Sequence, residues 1–183
     1  MGIIYVTGGA RSGKSRFAEK LAEESKDKLY IATAILFDDE MKARAEKHKQ
    51  DRGNSWKTFE GYRDLDKVII KNRCKDSILL DCITTMVTNI MFEDGEKNWE
   101  SIKTEEIEKL EKRVTAEIEK LLEEGKKFKG NLIIVSNEVG MGLVPEYPLG
   151  RHFRDIAGRV NQIIAEKADE VYFLVSGIPM KIK

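Results

Sequence analysis

Apolar positions along the chain follow two periods. Short continuous runs, Ile3 to Val6, Leu29 to Ala32, Ile78 to Leu80, Leu132 to Val135 and Val171 to Val175, read as strands buried on both faces. Trp56 to Phe59 reads as a further short strand. Between them the spacing turns helical. Phe17, Leu21 and Ala22 share one face of a helix over Lys14 to Glu24, and Asp38 to Arg52 reads as a highly charged, exposed helix. Ile83 to Phe92 is apolar enough for a packed helix. After a surface loop around Gly95, Leu110, Val114, Ile118, Leu121 and Leu122 mark one long amphipathic helix ending near Gly125. Pro145 and Pro148 signal a loop before a helix over Arg151 to Lys167. Strands that alternate with helices imply a mostly parallel sheet flanked by helices. Such sheets bind ligands at the carboxyl ends of their strands. Thr7-Gly8-Gly9, Thr33, Asp81 and Asn137-Glu138 are the polar endings that converge there.

Composition narrows the class. A chain of 183 residues suits one catalytic domain over residues 1–183, and 41% hydrophobic content supplies its core. Lys plus Arg and Asp plus Glu both number 32, so the formal charge is zero and no basic excess points to nucleic acid. Cys74 and Cys82 form no CxxC pair, which argues against a zinc or redox motif. The start of the chain is too short for a secretory segment, and no apolar run approaches the roughly 18 residues of a membrane span. The expected location is the reducing cytoplasm.

The strongest chemical signal is Gly8-Gly9-Ala10-Arg11-Ser12-Gly13-Lys14-Ser15, which matches G-x4-G-K-[ST] between a buried strand and an amphipathic helix. Glycines let successive N–H groups turn inward onto phosphate oxygens, and the helix adds its positive end. Lys14 is expected to reach the β- and γ-phosphates, as a binding and a catalytic group. Ser15 is expected to ligate Mg²⁺. The fold expected is therefore α/β, a P-loop NTPase with a RecA-like sheet. Asp81, an acid ending a buried strand, is the expected second metal-side group. It could equally cap the helix from Ile83 onward.

His48 lies among cations. On a helix, Glu40, Arg44, His48 and Arg52 recur every four residues, with Lys47 and Lys49 alongside. Like-sign neighbours favour the neutral, nucleophilic imidazole, and the same cations would steady a phosphate under attack. On spacing alone, an exposed histidine on a charged helix fits the pattern as well. His152, beside Arg151 and Arg154, reads as structural or as a minor substrate contact.

Taken together, Thr7 to Arg16, Tyr30-Ile31-Ala32-Thr33, Asp38-Asp39-Glu40-Met41, Arg44 with His48-Lys49, Leu79 to Asn89, Asn137 to Gly142, Arg151 to Asp155, Gly158 to Gln162 and Val175-Ser176-Gly177 resemble one family over nearly the whole chain. It is the bifunctional adenosylcobinamide kinase/adenosylcobinamide-phosphate guanylyltransferase family of cobalamin biosynthesis. The resemblance implies two reactions. The aminopropanol hydroxyl of adenosylcobinamide is phosphorylated by ATP or GTP. Then the histidine at the place of His48 attacks the α-phosphate of GTP, pyrophosphate leaves, and the guanylyl group passes to adenosylcobinamide phosphate. It also implies nucleotide contacts at Gly8 to Ser15, at Thr33, Ala34 and Ile35, at Lys49, Gln50, Asp51 and Arg52, and at Glu60 and Asp81, where relatives often carry Glu. A homotrimer with active sites between subunits is implied as well.

Overall fold

The computed structural model describes residues 1–35 and 55–183. The expected helix over Asp38 to Arg52 lies outside them. In chain order the described elements are β1 (Gly2–Gly8), α1 (Lys14–Leu21), β2 (Lys28–Ala32), β3 (Trp56–Glu60), α2 (Leu65–Lys71), β4 (Ser77–Asp81), α3 (Ile83–Phe92), α4 (Thr104–Lys127), β5 (Asn131–Asn137), α5 (Pro148–Lys167), β6 (Glu170–Val175) and β7 (Ile178–Lys181).

The strands form one seven-stranded sheet in the order β3-β2-β4-β5-β1-β6-β7. All neighbours pair in parallel except β6 and β7. This is the expected P-loop NTPase arrangement. The continuous apolar runs are explained by burial on both faces. Ile3 and Tyr5 of β1, with Ile78, Leu80, Leu132 and Ile134, join a core built with α2 to α5. Val6, Leu79, Ile133 and Val135 face the other way, against Ala18 of α1 and Ala22 just past its end. Among the described residues α1 is the only helix in that second cluster.

Several boundaries differ from the sequence pattern for physical reasons. Pro148 does not sit in a loop but opens α5, where a missing N–H costs nothing. Helix α4 ends near Gly125 as expected, at Lys127. A Cβ at Gly125 would lie 2.5 Å from Leu132 Cδ2, so the glycine lets the helix approach the sheet. The hydrophobic pattern does not single out α2 or β7. Helix α2 is seven residues long, too short for a strong period, though Leu65, Val68 and Ile69 are buried. Strand β7 is exposed throughout and so carries no alternation. Its turn is tight: Ser176 (φ 51) and Gly177 (φ 84) have the two positive φ values that a two-residue hairpin needs.

Burial pushes the Tyr5 phenol from 10.0 up to about 12, with the Glu138 charge adding to the effect. Below its ordinary value both folded and unfolded chains keep the proton. Above it the unfolded chain releases the proton while the folded chain retains it, so stability falls as pH rises. Urea unfolding from about pH 9 to about pH 12 should show the wild type losing roughly 2 kcal/mol more than Tyr5→Phe.

Candidate active site at the carboxyl edge of the sheet

Strand β1 ends at Gly8, and the chain turns through Gly9 to Gly13 into α1. Two residues of the turn adopt positive φ, Arg11 at 55° and Gly13 at 91°. Gly13 occupies the N-cap position, with no side-chain cap and no acid in the first helical turn. The first N–H groups of α1 are thereby left for an anion, and the helix dipole favours one. Two bonds hold the loop from outside. Glu138 N–H donates to the Gly8 carbonyl at 2.9 Å, and Gly177 N–H, from the β6–β7 turn, donates to the Ser12 carbonyl at 2.9 Å.

Lys14 is buried, and its Nζ donates to the Gly9 carbonyl at 2.6 Å. Burial lowers its pKa, while Cys82 and Asp81 nearby act in the opposite direction. The Ser12 hydroxyl is buried without a hydrogen-bond partner. An orphaned hydroxyl inside a phosphate-type loop is a donor that a phosphate oxygen would satisfy. Ser15 comes next in the first turn of α1, half-buried.

The neighbouring strand ends are cross-linked by polar bonds. Asp81 accepts from the Tyr30 hydroxyl at 3.0 Å. It does not cap α3: the N-cap position belongs to Cys82, without a side-chain cap bond. Thr33 is buried, and its hydroxyl is engaged on both sides, donating to the Cys82 carbonyl at 2.7 Å and accepting from Cys82 N–H at 2.9 Å. Asn89 donates to the Thr33 carbonyl at 2.6 Å. Asn137 donates to the Thr84 hydroxyl at 2.7 Å. Behind it, Asn161 of α5 accepts from the Ser136 hydroxyl at 2.7 Å and donates to the Asn137 carbonyl at 3.1 Å. The ends of β2, β4 and β5 are thus tied to α3 and α5 by hydrogen bonds with little exposure to water.

Of the residues singled out from sequence, Gly8 to Ser15 and Asp81 come together. Thr33, Ala34 and Ile35 continue from β2 at the same edge, with Thr33 in register beyond the Ala32–Asp81 pair. Glu60 is exposed at the end of β3. That strand stands four places from β1, roughly 19 Å at ordinary strand spacing. His48, Lys49, Gln50, Asp51 and Arg52 lie outside the described residues. For Mg²⁺, the donor set of one hydroxyl and one carboxylate fits a cation that draws its other ligands from substrate phosphates and water. No group of three or more His, Cys, Asp or Glu that could hold a metal alone occurs among the described residues. Nor is any described helix long and apolar enough to cross a membrane.

Comparison with known proteins agrees with this geometry. Residues 4–182 match a family described as cobinamide kinase / cobinamide phosphate guanyltransferase. The chain belongs to that family. Among its relatives is the bifunctional adenosylcobalamin biosynthesis protein CobU of Escherichia coli K12, 48% identical, with 99% of each chain covered. CobU of Salmonella typhimurium LT2 is 50% identical over the same shares. CobP of Pseudomonas aeruginosa is 39% identical over 97% of this chain and 95% of its own length. A KaiC-like protein of Pyrococcus horikoshii OT3 shares the fold at 13% identity, with a TM-score of 0.50 over 94% of this chain and 70% of that one.

Asn161 and Thr84 belong to the polar edge of this family member, yet neither stands out as a site residue in the sequence. For Asn161 a signal was present: it interrupts the buried stripe Ile156, Ala157, Val160 and Ile164. A polar residue in such a stripe has to find partners. Asn161→Ala would orphan the Ser136 hydroxyl and one bond to the Asn137 carbonyl. It should cost about 1–3 kcal/mol in urea unfolding.

Proposed function

We propose that this protein phosphorylates the aminopropanol hydroxyl of adenosylcobinamide with ATP or GTP. It then transfers GMP from GTP to adenosylcobinamide phosphate, giving adenosylcobinamide-GDP and pyrophosphate. The observation that carries the reading is the uncapped N-terminus of α1, with buried Lys14 and the orphaned Ser12 hydroxyl in the preceding loop. That loop binds a polyphosphate, and family membership supplies the acceptor.

In this reading the amides of Gly8 to Ser15 cradle the β- and γ-phosphates, and Lys14 moves from the Gly9 carbonyl to a phosphate oxygen. Its charge then counters the negative charge that develops on the leaving group. Ser15 and Asp81 would hold Mg²⁺, which would neutralise phosphate charge. Thr33, Ala34, Ile35 and Glu60 carry the nucleoside along the carboxyl edge, away from β1. His48, flanked by Lys47 and Lys49, attacks the α-phosphorus, and pyrophosphate departs from the loop. Lys49, Gln50, Asp51 and Arg52 surround the guanylyl group. The covalent route divides one displacement into two easier ones. The protein works in the cytoplasm as a homotrimer whose sites lie between subunits. The assignment of His48 rests on its place in the family pattern and on its cationic neighbours.

Incubation with Mg²⁺ and GTP labelled at the α-phosphate should leave acid-labile, base-stable label on the protein, whereas γ-labelled GTP should leave none. Adenosylcobinamide phosphate should discharge the label. His48→Ala should carry no label, and Lys14→Ala should label at least about 10²-fold more slowly. Absence of label on the wild type would reduce the chain to a P-loop kinase without guanylyl transfer.

A further inference from the structure

The two half-reactions differ in their need for a base. In the first, the acceptor is an alcohol, whose proton has to leave as the new oxygen–phosphorus bond forms. In the second, the acceptor is a phosphate monoester, largely deprotonated at neutral pH. A group that accepts a proton from the acceptor therefore serves the first step alone. The carboxylate that ends β4, Asp81, is engaged by the Tyr30 hydroxyl and stands on the metal side. Glu60 lies on the far strand. A third carboxylate at this edge has no role so far.

We propose that Glu138 is the general base of the phosphoryl transfer. Three observations place it. Strand β5 lies between β1, which feeds the phosphate loop, and β4, which ends in Asp81. Gly8 pairs with Asn137, so Glu138 is the first residue beyond the pairing. Its own N–H is bonded to the Gly8 carbonyl at 2.9 Å, which fixes its backbone against the phosphate loop. The side chain is half-buried, and one carboxylate oxygen, Oε1, accepts from Gly140 N–H. That bond orients the carboxylate, and Oε2 has no hydrogen-bond partner among the described residues.

The segment after Glu138 suits the acceptor. Met141, Leu143, Val144 and Tyr147 are between 67% and 96% exposed. Arg151 anchors the end of this segment by donating to the Pro145 carbonyl at 3.1 Å. A corrinoid is large and broad-faced, and the exposed apolar residues that follow Glu138 offer such a body a resting place while its side-chain hydroxyl reaches Glu138. In the step itself the hydroxyl proton passes to a Glu138 oxygen while the acceptor oxygen bonds to the γ-phosphorus. The bond from that phosphorus to the bridging β-oxygen breaks, and the nucleoside diphosphate leaves with the electron pair.

The inference rests on the two-step activity proposed for this site, and the test separates the two. Wild type, Glu138→Gln and Glu138→Asp are compared for phosphorylation of adenosylcobinamide, for labelling by α-labelled GTP, and for GMP transfer to supplied adenosylcobinamide phosphate. GTP affinity and the unfolding midpoint are measured for each. Glu138→Gln is expected to lower kcat for phosphorylation by about 10²-fold or more, with labelling and GMP transfer falling far less. Glu138→Asp should recover part of the loss. Parallel loss of all three activities would overturn the proposal and make Glu138 a support of the shared loop. Unchanged phosphorylation in Glu138→Gln beside an active wild type would overturn it alone. A wild type that does not phosphorylate adenosylcobinamide would overturn the two-step reading and this proposal with it.

Discussion

The parallel pairing of β1 with β5 is the constraint on which the rest of the edge depends. It runs from Gly2 opposite Asn131 to Gly8 opposite Asn137, with both faces covered. Parallel strands pair at this length only when helices bury both faces, which is why the apolar runs are continuous. Because the pairing ends at Gly8, the phosphate loop has lost its ladder partners and must find others. It finds Glu138 on one side and the β6–β7 turn on the other. The loop's position is set by where the ladder stops.

Electrostatics at this edge are handled by short-range partners. Lys14 is buried, a costly position for a cation, and it rests on a carbonyl dipole with Asp81 and Cys82 close by. The strand ends of β2, β4 and β5 carry Thr33, Asp81 and Asn137, each hydrogen-bonded to a neighbour on another strand or helix. Polar groups held by such bonds keep their geometry, and preorganised geometry is what transition-state stabilisation requires. The surface offers a contrast. The pairs of Arg113 with Glu93 and Asp94 tie α4 to the end of α3, and Arg63, just ahead of α2, joins them on Glu93. Such pairs contribute little individually.

The sequence makes the fold legible because its strongest features are periodic. Buried parallel strands read as unbroken apolar runs, and α4 shows its stripe over many turns. The phosphate loop is legible for another reason: its residues are contiguous, and Gly13 takes a positive φ at the start of the helix. What escaped lacks periodicity or contiguity. Helix α2 has two turns to declare itself, β7 has no buried face, and Pro148 reads equally as a loop residue and as a helix opener. The polar edge is assembled from Thr33, Thr84, Asn137 and Asn161, which are far apart in the chain. Only the sheet order brings them together. Asp81 shows the converse: its position at a strand end is plain from sequence, but Cys82 takes the N-cap place that Asp81 could equally have filled.

The close approach of α4 to the sheet has a consequence for how this chain can change. A Cβ at Gly125 would meet Leu132 Cδ2 at 2.5 Å and Ile3 Cδ1 at 3.4 Å. Positions 125, 132 and 3 therefore divide one small volume among a helix and two adjacent strands. An added methyl at one of them has to be matched by a smaller side chain at another. Substitutions at the three positions are therefore coupled through volume. This coupling sits at the amino end of β1 and β5, away from the chemistry. That end of the sheet is constrained by volume, while the opposite end is constrained by hydrogen-bond partners.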